Sequence, residues 1–293
     1  MGREGPSNGH AHGAEGYACG AGGGRAIEKP MPFLSVPGAS LYYEIHGAGP
    51  WLVFAHGAGG NHLSWWQQVP VFASRFRCLT YDQRGWGRSP CTGPPDPAAF
   101  AGDLAALLHG VGAESATLVG QSMGGWSVLG CAVHHPERVA RLVLTGTLAG
   151  LTDADSTAML LAAIERSADG PLDAHVALAA DFPARDPIRT FLFEEIAALN
   201  PPLTAAFLRT LIELRYTEVA AMLRVPVCVI AGARDRLFPL ELMRQAHARL
   251  PRAELVVVAD AGHSVYFERP DAFNDALAAF LGVALTSSGR AVT

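Results

Sequence analysis

Lysine is almost missing from this chain of 293 residues: of 22 basic residues, Lys29 is the single lysine and the rest are arginine. Two chemistries that need a lysine are thereby set aside, the Walker-type phosphate loop and Schiff-base catalysis, because Lys29 lies in a stretch without pattern. Cysteine is scarce and scattered. Cys19, Cys78, Cys91, Cys131 and Cys228 are odd in number, far apart, and contain no C-x-x-C pair. That excludes a disulfide framework and a zinc site, and reads instead as small core side chains in a reducing compartment. A basic surplus is also lacking: 22 Lys and Arg against 27 Asp and Glu leave a net charge of −5, which argues against nucleic acid as a partner.

Long hydrophobic runs are absent as well. Residues 1–30 hold nine glycines and nothing resembling the roughly 7–15 apolar residues of a secretory signal. They are expected to form a disordered tail, since they cannot bury enough surface to offset their ordering entropy. Met31 opens the first strand-like run and is a candidate natural start. His10-x-His12 lies in this tail and reads as chance spacing rather than a metal site. Residues 115–133 carry no charge, yet Gly120-Gln121-Ser122 and Gly124-Gly125 interrupt them where a lipid-facing helix would be continuous and bulky. The expectation is a soluble, cytoplasmic protein with no membrane partner; a homo-oligomer is left open.

What is present is a 49% hydrophobic, 17% charged composition fit for a packed core. Short apolar runs alternate with helical patterns, the mark of an α/β fold with a mostly parallel sheet. Strands are predicted at Phe33–Val36, Leu41–Ile45, Trp51–Ala55, Cys78–Tyr81, Ala116–Gly120, Arg141–Thr145, Val227–Ala231 and Glu254–Val258. The first two form an antiparallel hairpin at one edge. Phe100, Leu104, Leu107 and Leu108 share one helix face, as do Phe273, Leu277, Phe280 and Leu281. From Leu148 to Ala221 the alternation stops, prolines recur and no strand is evident. Such length is too great for a bare loop, so a helical insertion covering one end of the sheet is expected. The organisation is thus a tail (1–30), a core in two parts (31–147 and 222–283), a helical cap (148–221) and a flexible end (284–293).

Gly120-Gln121-Ser122-Met123-Gly124 follows a strand and opens the helix Met123–His134, the context that gives G-x-S-x-G its meaning. The glycines free Ser122 to occupy a tight, strained turn, with side chains on either side of it expected to collide with it and Gly125 relieving crowding against the sheet. The amide of Met123, at the helix N-terminus, is the natural first donor to an oxyanion. A second donor must come from His56-Gly57-Ala58-Gly59-Gly60 after the third strand; Ala58 is the candidate and Gly59 the alternative. A dinucleotide loop is excluded there because His62 stands where the last glycine of G-x-G-x-x-G belongs. No cofactor and no metal is implied. His56 itself reads as a buried hydrogen-bonding residue that shapes the loop.

A serine hydroxyl needs a base, and among eleven histidines His263 stands out, in a loop directly after the last strand. Parallel strands deliver their C-terminal ends to one edge, so this loop reaches the edge that carries Ser122. Asp235 follows the preceding strand at the same edge and is the candidate orienting carboxylate. By itself it would read as a turn or helix cap; the order Ser…Asp…His favours the triad. Asp260 is the second choice, being too near His263 in the chain to bridge two strands. Trp65, Trp66 and Trp126 read as packing, with Trp126 alone close enough to the elbow to border a pocket.

With these motifs in place the chain closely resembles the α/β-hydrolase superfamily, in the branch of small-molecule esterases, enol-lactone hydrolases, C–C hydrolases and cofactor-free haloperoxidases. Tyr81-Asp82-Gln83-Arg84-Gly85-Trp86-Gly87-Arg88-Ser89 matches that branch's D-x-R-G-x-G-x-S turn, structural in relatives. His135-Pro136-Glu137-Arg138-Val139 and Gly262-His263-Ser264 through Phe267-Glu268-Arg269-Pro270 match as well. The resemblance spans Met31 to about Val283. It implies an eight-stranded sheet, a cap after the sixth strand, and a serine hydrolase acting through an acyl-enzyme on a small-molecule ester, lactone or related carbonyl. C–C hydrolysis, a lyase or another non-hydrolytic reaction on the same triad is the alternative. Ser122 at the elbow separates the chain from relatives with an Asp nucleophile, and Ala58 separates it from lipases with an H-G-G-G loop. Arg209 and Arg215 in the cap are expected to be exposed, though placed where an acidic substrate could meet them.

Overall fold

The computed structural model describes residues 32–166 and 174–285. Eight strands form one sheet: β1 (Phe33–Val36), β2 (Ala39–His46), β3 (Trp51–Ala55), β4 (Arg77–Tyr81), β5 (Ala116–Gln121), β6 (Val139–Thr145), β7 (Val227–Gly232) and β8 (Glu254–Val258), in the order β1-β2-β4-β3-β5-β6-β7-β8. β2 runs antiparallel to β1 and β4, and every other pairing is parallel. The predicted hairpin therefore exists, at the predicted edge. Its second strand is longer than its apolar run because the polar residues at its ends still pair: Ser40 with Ser35 and His46 with Cys78. β6 likewise starts at Val139, two residues before the predicted Arg141, with a register irregularity opposite Ala116 and Thr117.

The central strands are largely apolar because both faces are covered. Successive residues point to opposite sides. Val53 and Ala55 enter one core cluster while Leu52 and Phe54 enter the other. On the first face lie the helix Phe100–Gly110, with Phe100, Leu104, Leu107 and Leu108 all buried, and the helix Met123–His134. On the second lies the helix Pro270–Leu281, which buries Phe273, Leu277 and Leu281; Phe280 packs there only in part. Three cysteines sit in these cores: Cys78, Cys131 and Cys228 are buried, their thiols pushed up to about 12 by burial. Cys19 and the His10-x-His12 pair lie outside the described residues.

Between β6 and β7 the chain forms the helices Ala154–Arg166, Phe182–Arg185, Pro187–Ala198, Ala205–Glu213 and Thr217–Ala220, and among the described residues no strand. Two of the prolines that break the sequence pattern mark helix starts. Pro183 lies in the first turn of its helix, and Pro187 is the first residue of the next, preceded by Asp186, whose carboxylate accepts from the Arg189 N–H. The C-terminal ends of β3 through β8 meet at one edge, because these strands run in parallel. Among the described residues no helix is long and apolar enough to cross a membrane, and no cluster of His, Cys, Asp and Glu could hold a metal.

Candidate active site

The uncharged stretch 115–133 is β5, a sharp turn and a buried helix. Ser122 sits in that turn at φ 49° and ψ −119°, a left-handed conformation that L-residues rarely adopt. The turn is pinned to the end of β6. Ser122 donates its N–H to the Thr145 carbonyl at 3.1 Å, and the Thr147 hydroxyl donates to the Ser122 carbonyl at 2.7 Å. The flanking glycines are required, but not for the expected reason. A Cβ on Gly120 would strike Val128 and the Gly124 carbonyl, and one on Gly124 would strike the Ala55 carbonyl at the end of β3. The crowding is between helix and sheet rather than with the serine. Gly125 has the same role against the Thr147 side chain, in the loop that follows β6.

His263 and Asp235 meet as the strand order requires. The imidazole Nδ1 lies 2.8 Å from Asp235 Oδ2, and both side chains are buried. The other carboxylate oxygen accepts the N–H groups of Leu237 and Phe238, each at 2.8 Å. Asp235 is therefore both turn cap and histidine partner; the two readings of it are not rivals. Asp260, the second choice, pairs with Arg269 instead. His263 Nε2 is buried with no hydrogen-bond partner, and Ser122 and His263 border the same cavity. No hydrogen bond joins the two in this structure.

Ala58, Gly59 and Met123 border that cavity as well. Met123 opens its helix, so its N–H has no partner within the helix and faces the positive dipole end. The loop carrying Ala58 is held from three sides. Trp86 Nε1 donates to the Ala58 carbonyl at 2.6 Å, and Asn200 Nδ2 donates to the Gly59 carbonyl at 3.2 Å. His56 is fully buried, with Nδ1 2.8 Å from the Gly57 carbonyl and Nε2 accepting the Gln83 N–H at 2.9 Å. Burial pushes its pKa down to about 4, so it is neutral at pH 7, as a structural histidine should be.

The turn after β4 supplies much of this support. The buried carboxylate of Asp82 accepts from the His62 N–H, from His62 Nδ1 and from the Arg88 N–H at 2.6, 2.8 and 2.7 Å. These bonds and the neighbouring histidines hold its pKa below the usual carboxylate value against the cost of burial. Gln83 donates from Nε2 to the His56 carbonyl at 2.6 Å and accepts from the Ser127 hydroxyl on the elbow helix. Sequence reasoning found the turn but not its contacts: Gln83 and Trp86 fasten the His56–Gly60 loop. Thr147 and Asn200 were missed altogether, being ordinary polar residues in loops whose partners are distant in sequence.

The cavity holds about 780 Å³ between the sheet edge and the inserted helices. Trp126 lines it and donates Nε1 to the Leu214 carbonyl of the insertion at 2.9 Å. Trp65 is buried in the opposite core and Trp66 is 40% exposed. Arg215 is exposed, and Arg209 pairs with Glu165 at 3.1 Å; neither borders the cavity.

Comparison with known proteins agrees with this fold. The family model described as the alpha/beta hydrolase fold matches residues 50–270. A protein of Caulobacter sp. (strain K31) named carbamate hydrolase RutD is 32% identical over 267 residues, covering 82% of this chain and 95% of that protein. A thermophilic esterase from Thermogutta terrifontis superposes with a TM-score of 0.70 at 27% identity, over 83% of this chain and 93% of the other. The enol-lactonase from Burkholderia xenovorans LB400 does so with a TM-score of 0.73 at 25% identity, over 86% of this chain and all of the other.

Proposed function

Since the chain belongs to the α/β-hydrolase family, we propose that it is a serine hydrolase that cleaves an ester, lactone or related carbonyl through Ser122, His263 and Asp235. The observation that carries this reading is the 2.8 Å Asp235–His263 contact behind a cavity that Ser122 also borders. Asp235 fixes the ring with its Nδ1–H toward the carboxylate, which leaves Nε2 as the basic nitrogen on the cavity side. Ser122 Oγ attacks the substrate carbonyl carbon and its proton passes to Nε2. The resulting oxyanion is held by the Met123 and Ala58 N–H groups. Nε2 then protonates the departing group, leaving an acyl-serine. Water repeats the sequence, giving its proton to Nε2 and releasing the acid. The Ser122–His263 hydrogen bond forms when substrate fills the site, since catalytic contacts are commonly long or absent in free enzymes.

The helical segment 148–221 serves as the cap that excludes water during these steps. Esters, lactones and carbamates, the substrate types in the relatives' names, all pass through the same tetrahedral intermediate. Ser122→Ala is expected to lower kcat/KM for p-nitrophenyl acetate by on the order of 10⁴–10⁶-fold with the fold intact. An unchanged rate in that variant overturns the proposal.

A further inference from the structure

The walls of the cavity identify the substrate class, and this step rests on the serine-hydrolase reading above. We infer that the substrate portion held by this cavity is uncharged and largely apolar. Among the described residues no Asp, Glu, Lys or Arg borders the space. Asp235 stands behind His263, its two oxygens occupied by the imidazole and two backbone amides. The arginines nearby do not reach it. Arg185 pairs with Asp181, Arg189 bonds Asp186 and the Phe267 and Glu268 carbonyls, and Arg209 pairs with Glu165. Arg236, beyond β7, donates to the Leu178 and His175 carbonyls, while Arg215 is exposed and does not border the space.

The greater part of the walls is hydrocarbon, including Leu160, Ile164, Phe193, Leu208, Leu211 and Phe238. Several of the polar groups in the lining are already used. Ser64 Oγ accepts the Asn61 N–H, and Asn200 donates to the Ile196 and Gly59 carbonyls. A carboxylate drawn into such a space would shed its water and find no cation, which is the most unfavourable way to bury a charge. An alkyl or aryl chain gains by the same transfer. The volume of about 780 Å³ falls within the roughly 300–1,000 Å³ typical of sites for drug-sized ligands, too large to select a small organic anion.

Two matched covalent probes test this without requiring turnover. One is a p-nitrophenyl ester of a methyl hexylphosphonate; the other carries a carboxylate in place of the terminal methyl of the hexyl chain. In each, the Ser122 Oγ–P bond forms, the aryl P–O bond breaks, p-nitrophenolate leaves and the serine proton passes to His263. The methyl-ended probe is expected to modify Ser122 about 100-fold faster than the carboxylate-ended one. In Leu208→Arg, which sets a cation in the wall, the gap is expected to narrow at least about tenfold through faster reaction of the charged probe. Equal rates, or a faster charged probe, with both adducts on Ser122, would overturn the substrate class and leave the nucleophile standing. No adduct on Ser122 from either probe would overturn the serine-hydrolase reading and this inference with it.

Discussion

A histidine kept neutral by burial makes the folded state sensitive to acid. In the unfolded chain His56 titrates near 6.5, but in the native protein burial holds it down to about 4. Between those values the unfolded state binds the proton that the native state refuses. Its contribution is fully present above pH 6.5 and is lost as pH falls toward 4, by up to about 3 kcal/mol. Urea midpoints of the wild type should therefore fall between pH 7 and pH 5, and His56→Gln should flatten that part of the profile while lowering stability at pH 7. An unaltered slope in the variant would contradict the assignment. The same residue shows what a sequence discloses at this scale. A histidine beside glycines after a strand was readable as a loop-shaping group, because no proton carrier was needed there. Its partner Gln83 was not readable, since a glutamine acquires meaning only from the backbone that folding brings against it.

Elements were legible where burial is two-sided. β3, β5 and β7 are buried, mostly apolar runs because helices cover both faces, and their limits were correct to within one residue. β2 and β6 extend beyond their apolar cores because pairing continues through polar residues that hydropathy does not register. In the insertion, prolines foretold breaks between helices, whereas its attachments to the core were hidden. Asn200, just beyond the helix Pro187–Ala198, is one such attachment. It donates to the Gly59 carbonyl at 3.2 Å and accepts the Gly87 N–H at 3.1 Å, tying the insertion to the His56–Gly60 loop and to the turn after β4. Removing it should let the Ala58–Gly60 loop drift. Asn200→Ala is expected to lower kcat by about 10- to 100-fold with Tm nearly unchanged, since small misplacements near reacting groups are costly. A normal kcat in a folded Asn200→Ala protein would remove that residue from the positioning of the loop.

For the molecule as a whole, the parallel sheet sets the chemistry, because it gathers loops remote in sequence at one edge. The Asp235–His263 contact and the strained turn at Ser122 were legible because each motif had a strand end to attach to. The size of the cavity and its uncharged walls were not, because they arise from side chains on separate helices that meet only in the folded state. The central claim is that Ser122 reacts because His263 takes its proton. Mapping the adduct of an uncharged alkyl fluorophosphonate by peptide mass spectrometry, in the wild type and in His263→Ala, tests it most directly. The account predicts modification on Ser122, slowed by at least about 10³-fold in the variant. Modification at another residue, or on Ser122 at an undiminished rate without the imidazole, would contradict it.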